Sequence, residues 1–316
     1  MKRFRSLAAG LLATLLLCAG PAARAQDKIR LGILPFSESL GAVIADKEGF
    51  FKAEGLDVEM TKVNSGAEAL PLLQAGRLDI VFSNTVSTLQ ALEQGLQATL
   101  LAPGAVVRTK GPDSTATLLV LKGTIKSPKD LEGKRIATNI INSTNWLYDV
   151  VYLEKNGIDR SKVRFVEIPF PQMNDPLLNG QVDAIGQVEP FKTVLLGTGK
   201  VEALAEPYVD VQPNGDITQY IALTAWTQKN PEAANHFARA IRKAAEFANN
   251  PVNTEKMRDL NMQFTNLNPA LKDKVTLPQF GTAVNAAEIK KTMELLLKYG
   301  VLKKSVDLTG RVMDVK

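Results

Sequence analysis

Two stretches of this chain carry nearly the same sequence about a hundred residues apart, and that duplication limits the folds open to it. Pro71-Leu72-Leu73-Gln74-Ala75-Gly76-Arg77-Leu78-Asp79-Ile80 reads again, one residue shorter, as Pro176-Leu177-Leu178-Asn179-Gly180-Gln181-Val182-Asp183-Ala184. In each copy a glycine, Gly76 or Gly180, stands three residues before an aspartate. Upstream, Glu48-Gly49-Phe50-Phe51-Lys52-Ala53-Glu54-Gly55-Leu56-Asp57-Val58 is echoed by Leu153-Glu154-Lys155-Asn156-Gly157-Ile158-Asp159, and a short strand candidate precedes each copy. A period this long is well beyond a solenoid unit and predicts two similar lobes. Two lobes leave a cleft between them, and clefts hold ligands.

The first segment reads as an export leader rather than as fold. Lys2, Arg3 and Arg5 are followed by the apolar run 7–19, and Ala23-Arg24-Ala25 offers small residues for cleavage, so the mature chain is expected to begin at Gln26. Cys18 follows Leu17, where lipoprotein processing needs a small residue, which argues against a lipid anchor. Cleavage removes the one cysteine, so the mature chain must be held by its core and not by disulfides. It also removes four basic residues and no acidic one, so the formal charge of +5 falls by 4 to +1. That balance is no footprint for a nucleic acid. After residue 25 no apolar run reaches the ~18 residues of a membrane span, and the product is expected to be soluble and periplasmic.

Short apolar runs at 29–34, 57–63, 80–82 and 99–102 alternate with helical patterns at 42–53, 67–74 and 86–93. A second series follows, with strands at 116–121, 135–138, 163–167 and 184–186 and helices at 146–156, 171–178 and 190–196. Such alternation predicts an α/β chain of βαβ units around mainly parallel sheets. A strand at 220–225 and helices at 231–248 and 286–299 close the sequence. Turn-rich stretches at 108–114 and 211–218 bracket the second series and read as two crossovers, a possible hinge. The expected division is 1–25 leader, 26–110 first part of lobe one, 111–217 lobe two, and 218–316 return to lobe one; two sequential domains with a helical tail are the alternative.

The order of the leader, Ile29-Arg30-Leu31-Gly32, Gly49 to Val58, Gly76-Arg77-Leu78-Asp79 and Lys129-Asp130-Leu131-Glu132-Gly133-Lys134-Arg135-Ile136-Ala137 resembles the substrate-binding proteins of bacterial ABC importers. Within these it is most similar to the group that includes nitrate-, taurine- and aliphatic-sulfonate-binding proteins and binders of thiamine pyrimidine precursors. The resemblance covers most of the mature chain and fades after about residue 250. It implies a two-lobed periplasmic-binding-protein fold of type II, each lobe a mainly parallel sheet flanked by helices, joined by two crossover segments. It also implies a monomeric receptor that hands a small organic anion (a sulfonate, taurine, a nitrate-like or an aromatic acid) to an ABC permease and its ATPase subunit. A pyrimidine-like heteroaromatic is the alternative ligand, and an exported enzyme or sensor on the same scaffold is the remote one.

In open α/β sheets ligands sit beyond the carboxyl ends of the strands, where helix N-termini offer free N–H groups. The expected binding residues are therefore Phe36, Ser37, Glu38 and Ser39; Asn64, Ser65 and Gly66; and Ser83, Asn84 and Thr85 in lobe one. In lobe two they are Asn142, Ser143, Thr144, Asn145 and Trp146, with Glu189 and Phe191. Each Ser or Asn can equally be a helix cap, and the two roles are compatible. Glu38 and Glu189 are unfavourable beside an anion, which keeps a zwitterion or heteroaromatic amine open. Arg108, on the first crossover, is the candidate charged partner, with a solvated surface role as the other reading. The family often has Trp where Val188 stands, so an aromatic wall is expected to be missing there. No catalytic motif, cofactor or metal site is expected: the one histidine, His236, lies in a helix, and no nucleophile elbow, phosphate loop or metal spacing occurs.

N-terminal sequencing of the exported protein is expected to begin at Gln26, and a lipid-modified Cys18 would reverse that reading.

Overall fold

The computed structural model describes residues 26–314; the leader, its cleavage site and Cys18 lie outside them. The chain begins with β1 (Asp27–Ile33), a 3-10 turn at Ser37–Ser39, and the helices α1 (Leu40–Lys47) and α2 (Phe50–Ala53). These two were expected as one helix. Gly49 divides them with a left-handed φ of 73°, a conformation cheap only without a Cβ, and the turn drives Phe51 onto Phe237 with ring centroids 5.4 Å apart. Then follow β2 (Leu56–Lys62), α3 (Gly66–Gln74), β3 (Ile80–Asn84), α4 (Thr85–Glu93), β4 (Ala98–Pro103) and the short β5 (Ala105–Val106).

The second series comprises β6 (Thr117–Leu121), β7 (Arg135–Thr138), α5 (Thr144–Lys155), β8 (Arg164–Glu167), α6 (Asn174–Leu178), β9 (Ala184–Gln187), α7 (Phe191–Gly197), β10 (Val201–Ala205) and α8 (Pro207–Val211). Neither β10 nor α8 is marked in the sequence reading. Alternate residues of one strand fill the two faces of this sheet: Leu118 and Val120 pack with Leu153, whereas Leu119 packs with Met173 and Leu195. The chain closes with β11 (Thr218–Leu223), α9 (Thr224–Lys229), α10 (Pro231–Asn249), α11 (Thr254–Thr265), β12 (Gln279–Phe280) and α12 (Ala286–Lys298).

The first sheet has the order β2-β1-β3-β11-β4 and the second the order β8-β7-β9-β6-β10. In each, the first three strands are parallel and the fourth runs antiparallel to both neighbours. The two lobes thus share one topology. Between them the chain passes twice, and the passages pair: Val107 N–H donates to the Gly215 carbonyl (3.0 Å), and Asn214 N–H donates back to Val107 (3.1 Å).

The repeated turns occupy equivalent places for a shared physical reason. Gly76 and Gly180 have φ of 66° and 67°, each turning a helix end toward a strand. Three residues on, Asp79 Oδ2 accepts from Arg30 N–H (2.8 Å) and Nε (2.9 Å). Asp183 Oδ2 accepts from Arg135 N–H and Nε at the same two distances. Each aspartate fastens the start of the third strand in these orders to the second: Asp79 ties β3 to β1, and Asp183 ties β9 to β7. This arginine partner is what the repeat conserves in geometry, and the sequence reading did not include it.

Replacing Asp183 by Asn is expected to cost about 1–2 kcal/mol at pH 7, with the partial exposure of the pair holding the loss toward the lower value. The Arg135 hydrogen bond holds the Asp183 carboxyl below its ordinary value, so its stabilisation is present above about pH 4 and is lost as the pH falls. Urea unfolding at pH 7 and pH 3 checks this: the gap between wild type and D183N should shrink in acid.

Candidate functional site

The helices that follow the strands aim their N-termini at the gap between the sheets. Ser65 caps α3 by accepting from Glu68 N–H (3.1 Å), Asn84 caps α4 through Oδ1 from Ser87 N–H (2.8 Å), and Ser143 caps α5 from Trp146 N–H (3.4 Å). Each helix end carries a partial positive charge of roughly half a unit. Gly66 lets α3 start directly over β3, because a Cβ there would stand 2.7 Å from Ser83 Oγ. Gly186 in β9 does the same for α5: its bare Cα leaves room for Asn145 Nδ2 to donate to its carbonyl at 2.9 Å.

These ends surround a cavity of about 110 Å³. Lobe one contributes Leu34, Phe36, Glu38, Asn64, Ser65 and Gly66, with Asn84, Ser87 and Gln90. Lobe two contributes residues 139–145, Phe170, Val188 and Tyr208, and the returning crossover adds Ile217 and Thr218. Thr144 Oγ1 donates to Asn84 Oδ1 (2.9 Å), and Gln90 Nε2 reaches the Asn142 carbonyl (3.5 Å), so polar groups of the two lobes meet across the cleft. An aromatic edge is built from Phe36 and Phe170, whose rings meet at 89° with centroids 5.6 Å apart. Val188 is buried in the wall, and the aromatic cover comes from these rings and from Tyr208.

Among the described residues lining the cavity there is no lysine, arginine or histidine, and Glu38 is the one carboxylic acid. Glu38 is half-buried; loss of solvent, and then the nearby charge of Asp113, push its carboxyl up to about 7. Behind the lining, on α5 one turn after Asn145, Asp149 is buried with both carboxyl oxygens unpartnered, and burial holds it well above the usual carboxylate range. The Tyr208 ring stacks on Tyr148 at 4.4 Å, and burial followed by Glu38 and Asp149 raises its phenol. The lining therefore combines N–H and amide donors with a protonatable acid and aromatic rings.

Of the sequence candidates, Phe36, Glu38, Asn64, Ser65, Gly66, Asn84, Asn142, Ser143, Thr144 and Asn145 line this space. The others do not. Ser37 is fully buried with its hydroxyl unpartnered, and Ser39 Oγ accepts from Leu34 N–H to close the turn. Ser83 points under Gly66, and Thr85 Oγ1 donates to the Asp216 carbonyl (2.6 Å). Trp146 packs edge-on against Phe165 in the core, and Phe191 supports Phe36 from behind. Glu189 is buried 3.6 Å from Lys192 Nζ and accepts from Thr193 and from Thr276 N–H. Arg108 turns away, donating to the Leu277 carbonyl.

The sequence reading did not include Ser87, Gln90, Asn139, Tyr208 or Thr218. Ser87 and Gln90 are three apart on α4, and helical spacing from Asn84 places them on its cavity face. Tyr208 had no such signal, since α8 itself was not read. No cluster of His, Cys, Asp and Glu suited to a metal occurs among the described residues, and none of their helices is long and apolar enough to cross a membrane.

A family model described as NMT1/THI5 like matches residues 37–254. The chain is 27% identical over 198 residues to the taurine-binding periplasmic protein of Escherichia coli, covering 60% of this chain and 57% of that one. It is 27% identical over 164 residues to a putative thiamine biosynthesis protein of Haemophilus influenzae, covering 52% and 50%. The chain thus spans about half the length of these relatives. The periplasmic aliphatic sulphonate binding protein SsuA from Escherichia coli has the same fold, with a TM-score of 0.74 at 18% identity over 90% of this chain and 97% of that one.

Glu38 stabilises the folded state while protonated, so its contribution is full below about pH 4.5 and is lost as the pH rises through about 7. In Glu38→Gln that decline should be absent, making the ligand-free variant more stable than wild type above pH 7 by on the order of 1–3 kcal/mol. Urea unfolding from pH 4.5 to 8 measures the difference.

Proposed function

Because the chain belongs to the NMT1/THI5-like family, we propose that it is a periplasmic solute receptor, not an enzyme, that captures a small polar molecule between its lobes and delivers it to an ABC permease and its ATPase subunit. In this reading residues 1–25 are the export leader, 26–110 and 218–316 form lobe one, and 111–217 form lobe two. The observation that carries it is the convergence of the α3, α4 and α5 N-termini from both lobes on one cavity. Neither lobe alone supplies the full set of donors, so a ligand that uses them all favours the closed arrangement.

The ligand carries an oxyanion or similar acceptor at the helix ends, bound by N–H and amide groups without a charged side chain. Glu38, in the same lining, favours a protonated amine, so an amphoteric solute such as an aminosulfonate fits better than a simple anion. A heteroaromatic amine is the second reading, supported by the Phe36 and Phe170 rings beside Glu38.

The pH dependence of affinity separates these readings. For an amine-bearing ligand, calorimetry should show binding tightening as Glu38 ionises through about pH 7, and E38Q should abolish the trend. For nitrate or an alkanesulfonate the affinity should instead fall, by up to about tenfold per pH unit above that point. Thermal-shift screening of aminosulfonates, alkanesulfonates, nitrate and aminopyrimidines supplies the ligand, and failure of every class to raise the melting temperature would overturn the receptor reading.

A further inference from the structure

The arginine that the cleft does not use opens onto a different space. Arg108, on the first crossover, and Arg258, on α11, both line a pocket of about 470 Å³ that shares no residue with the cleft. Arg108 Nη2 donates to the Leu277 carbonyl (2.9 Å), while its Nε is buried without a partner. Arg258 Nη1 is held by the Lys272 and Val275 carbonyls at 3.0 and 3.3 Å. Its carboxylate neighbour, Glu255, stands 3.8 Å away, is 74% exposed, and is shared with Lys272. Among the described residues no acidic side chain lines this pocket; Thr254, Thr276, Asn249 and Gln279 supply hydroxyls and amides.

Two guanidinium groups fixed by backbone carbonyls in an acid-free concavity are suited to bidentate recognition of oxygen anions. On the same side chain, Arg108 Nε is buried and has no acceptor within the protein. We propose that this pocket is a second binding site, for a small polyvalent oxyanion of the phosphate or tricarboxylate type, held between Arg108 and Arg258. The site adjoins the hinge. Arg108 N–H donates to Asp113 Oδ2 (2.7 Å) on the crossover, and Thr276, on the pocket wall, donates its N–H to Glu189 Oε1 (3.2 Å) of lobe two. An occupant bound more tightly in the closed arrangement therefore shifts cleft affinity, and the cleft ligand shifts its affinity by the same factor.

Calorimetric titration of the purified protein with inorganic phosphate and with citrate, at low ionic strength, tests the site. A single saturable event is expected for at least one of them, weakened at least tenfold in both Arg108→Gln and Arg258→Gln, only partly recovered in Arg258→Lys, which keeps the charge but loses the bidentate fork, and unchanged in Lys243→Gln, whose lysine pairs with Glu54 elsewhere. If Arg108→Gln does not fold, the two Arg258 variants carry the test. No saturable binding, equal weakening in Lys243→Gln, or competition by a ligand shown to bind the cleft through Glu38 with no effect of either arginine substitution would each overturn the proposal. A failed screen for cleft ligands leaves this titration unaffected, so the two readings fail separately.

Discussion

The structure depends on one strand arriving late. β11 lies between β3 and β4, antiparallel to both, and five of its six residues are buried. Without it the first sheet would be split: β4 pairs with β11 and would have no other partner in that sheet. Lobe one therefore closes only after the chain has gone out through lobe two and come back. The return brings the second crossover beside the first, and their mutual hydrogen bonds follow from that geometry. A cleft spanned by two paired segments is the consequence.

The same topology explains the chemistry of the cleft. Parallel strands in both lobes deliver their following helices with the N-termini toward the gap, so positive partial charge accumulates there without any cationic side chain. Nine- and twelve-residue helices are long enough for that end effect. Among the described lining residues Glu38 is the single acid. Behind Asn145, Asp149 has both carboxyl oxygens unpartnered, and burial holds its carboxyl well above the usual carboxylate range.

Much of this was legible in the sequence, for reasons that can be named. Gly76 and Gly180 marked the two lobes because a left-handed turn leaves a glycine behind, and the Asn64, Asn84 and Ser143 loops were found because they follow strand ends, where ligands sit in α/β sheets. What could not be read is which way each side chain turns. Ser37 and Glu38 are neighbours in one turn, yet one is fully buried and the other faces the cavity. Thr85 and Asn84 divide in the same way, one tied to the Asp216 carbonyl and the other reaching Thr144. Glu189 has the composition of a binding acid but meets Lys192 one turn later, a pairing that spacing alone leaves ambiguous with a ligand role. Tyr208 was invisible because α8 is five residues long and opens at Pro207, too short for a periodic signal.

Charge placement completes the argument. Lys192 is 3% exposed and is satisfied entirely from within lobe two and the first crossover: it donates to the Asp113 carbonyl and to Thr117 Oγ1 at 3.2 Å, beside Glu189. Arg108 is drawn off to the Leu277 carbonyl on the far wall of a different pocket. Lys192 and Arg108 are thus both engaged by protein groups and absent from the cleft lining. Cations in the cleft would add a strong but undiscriminating attraction for any anion. In the receptor proposed above, recognition in the cleft would therefore rest on directional donors from three helix ends and one acid.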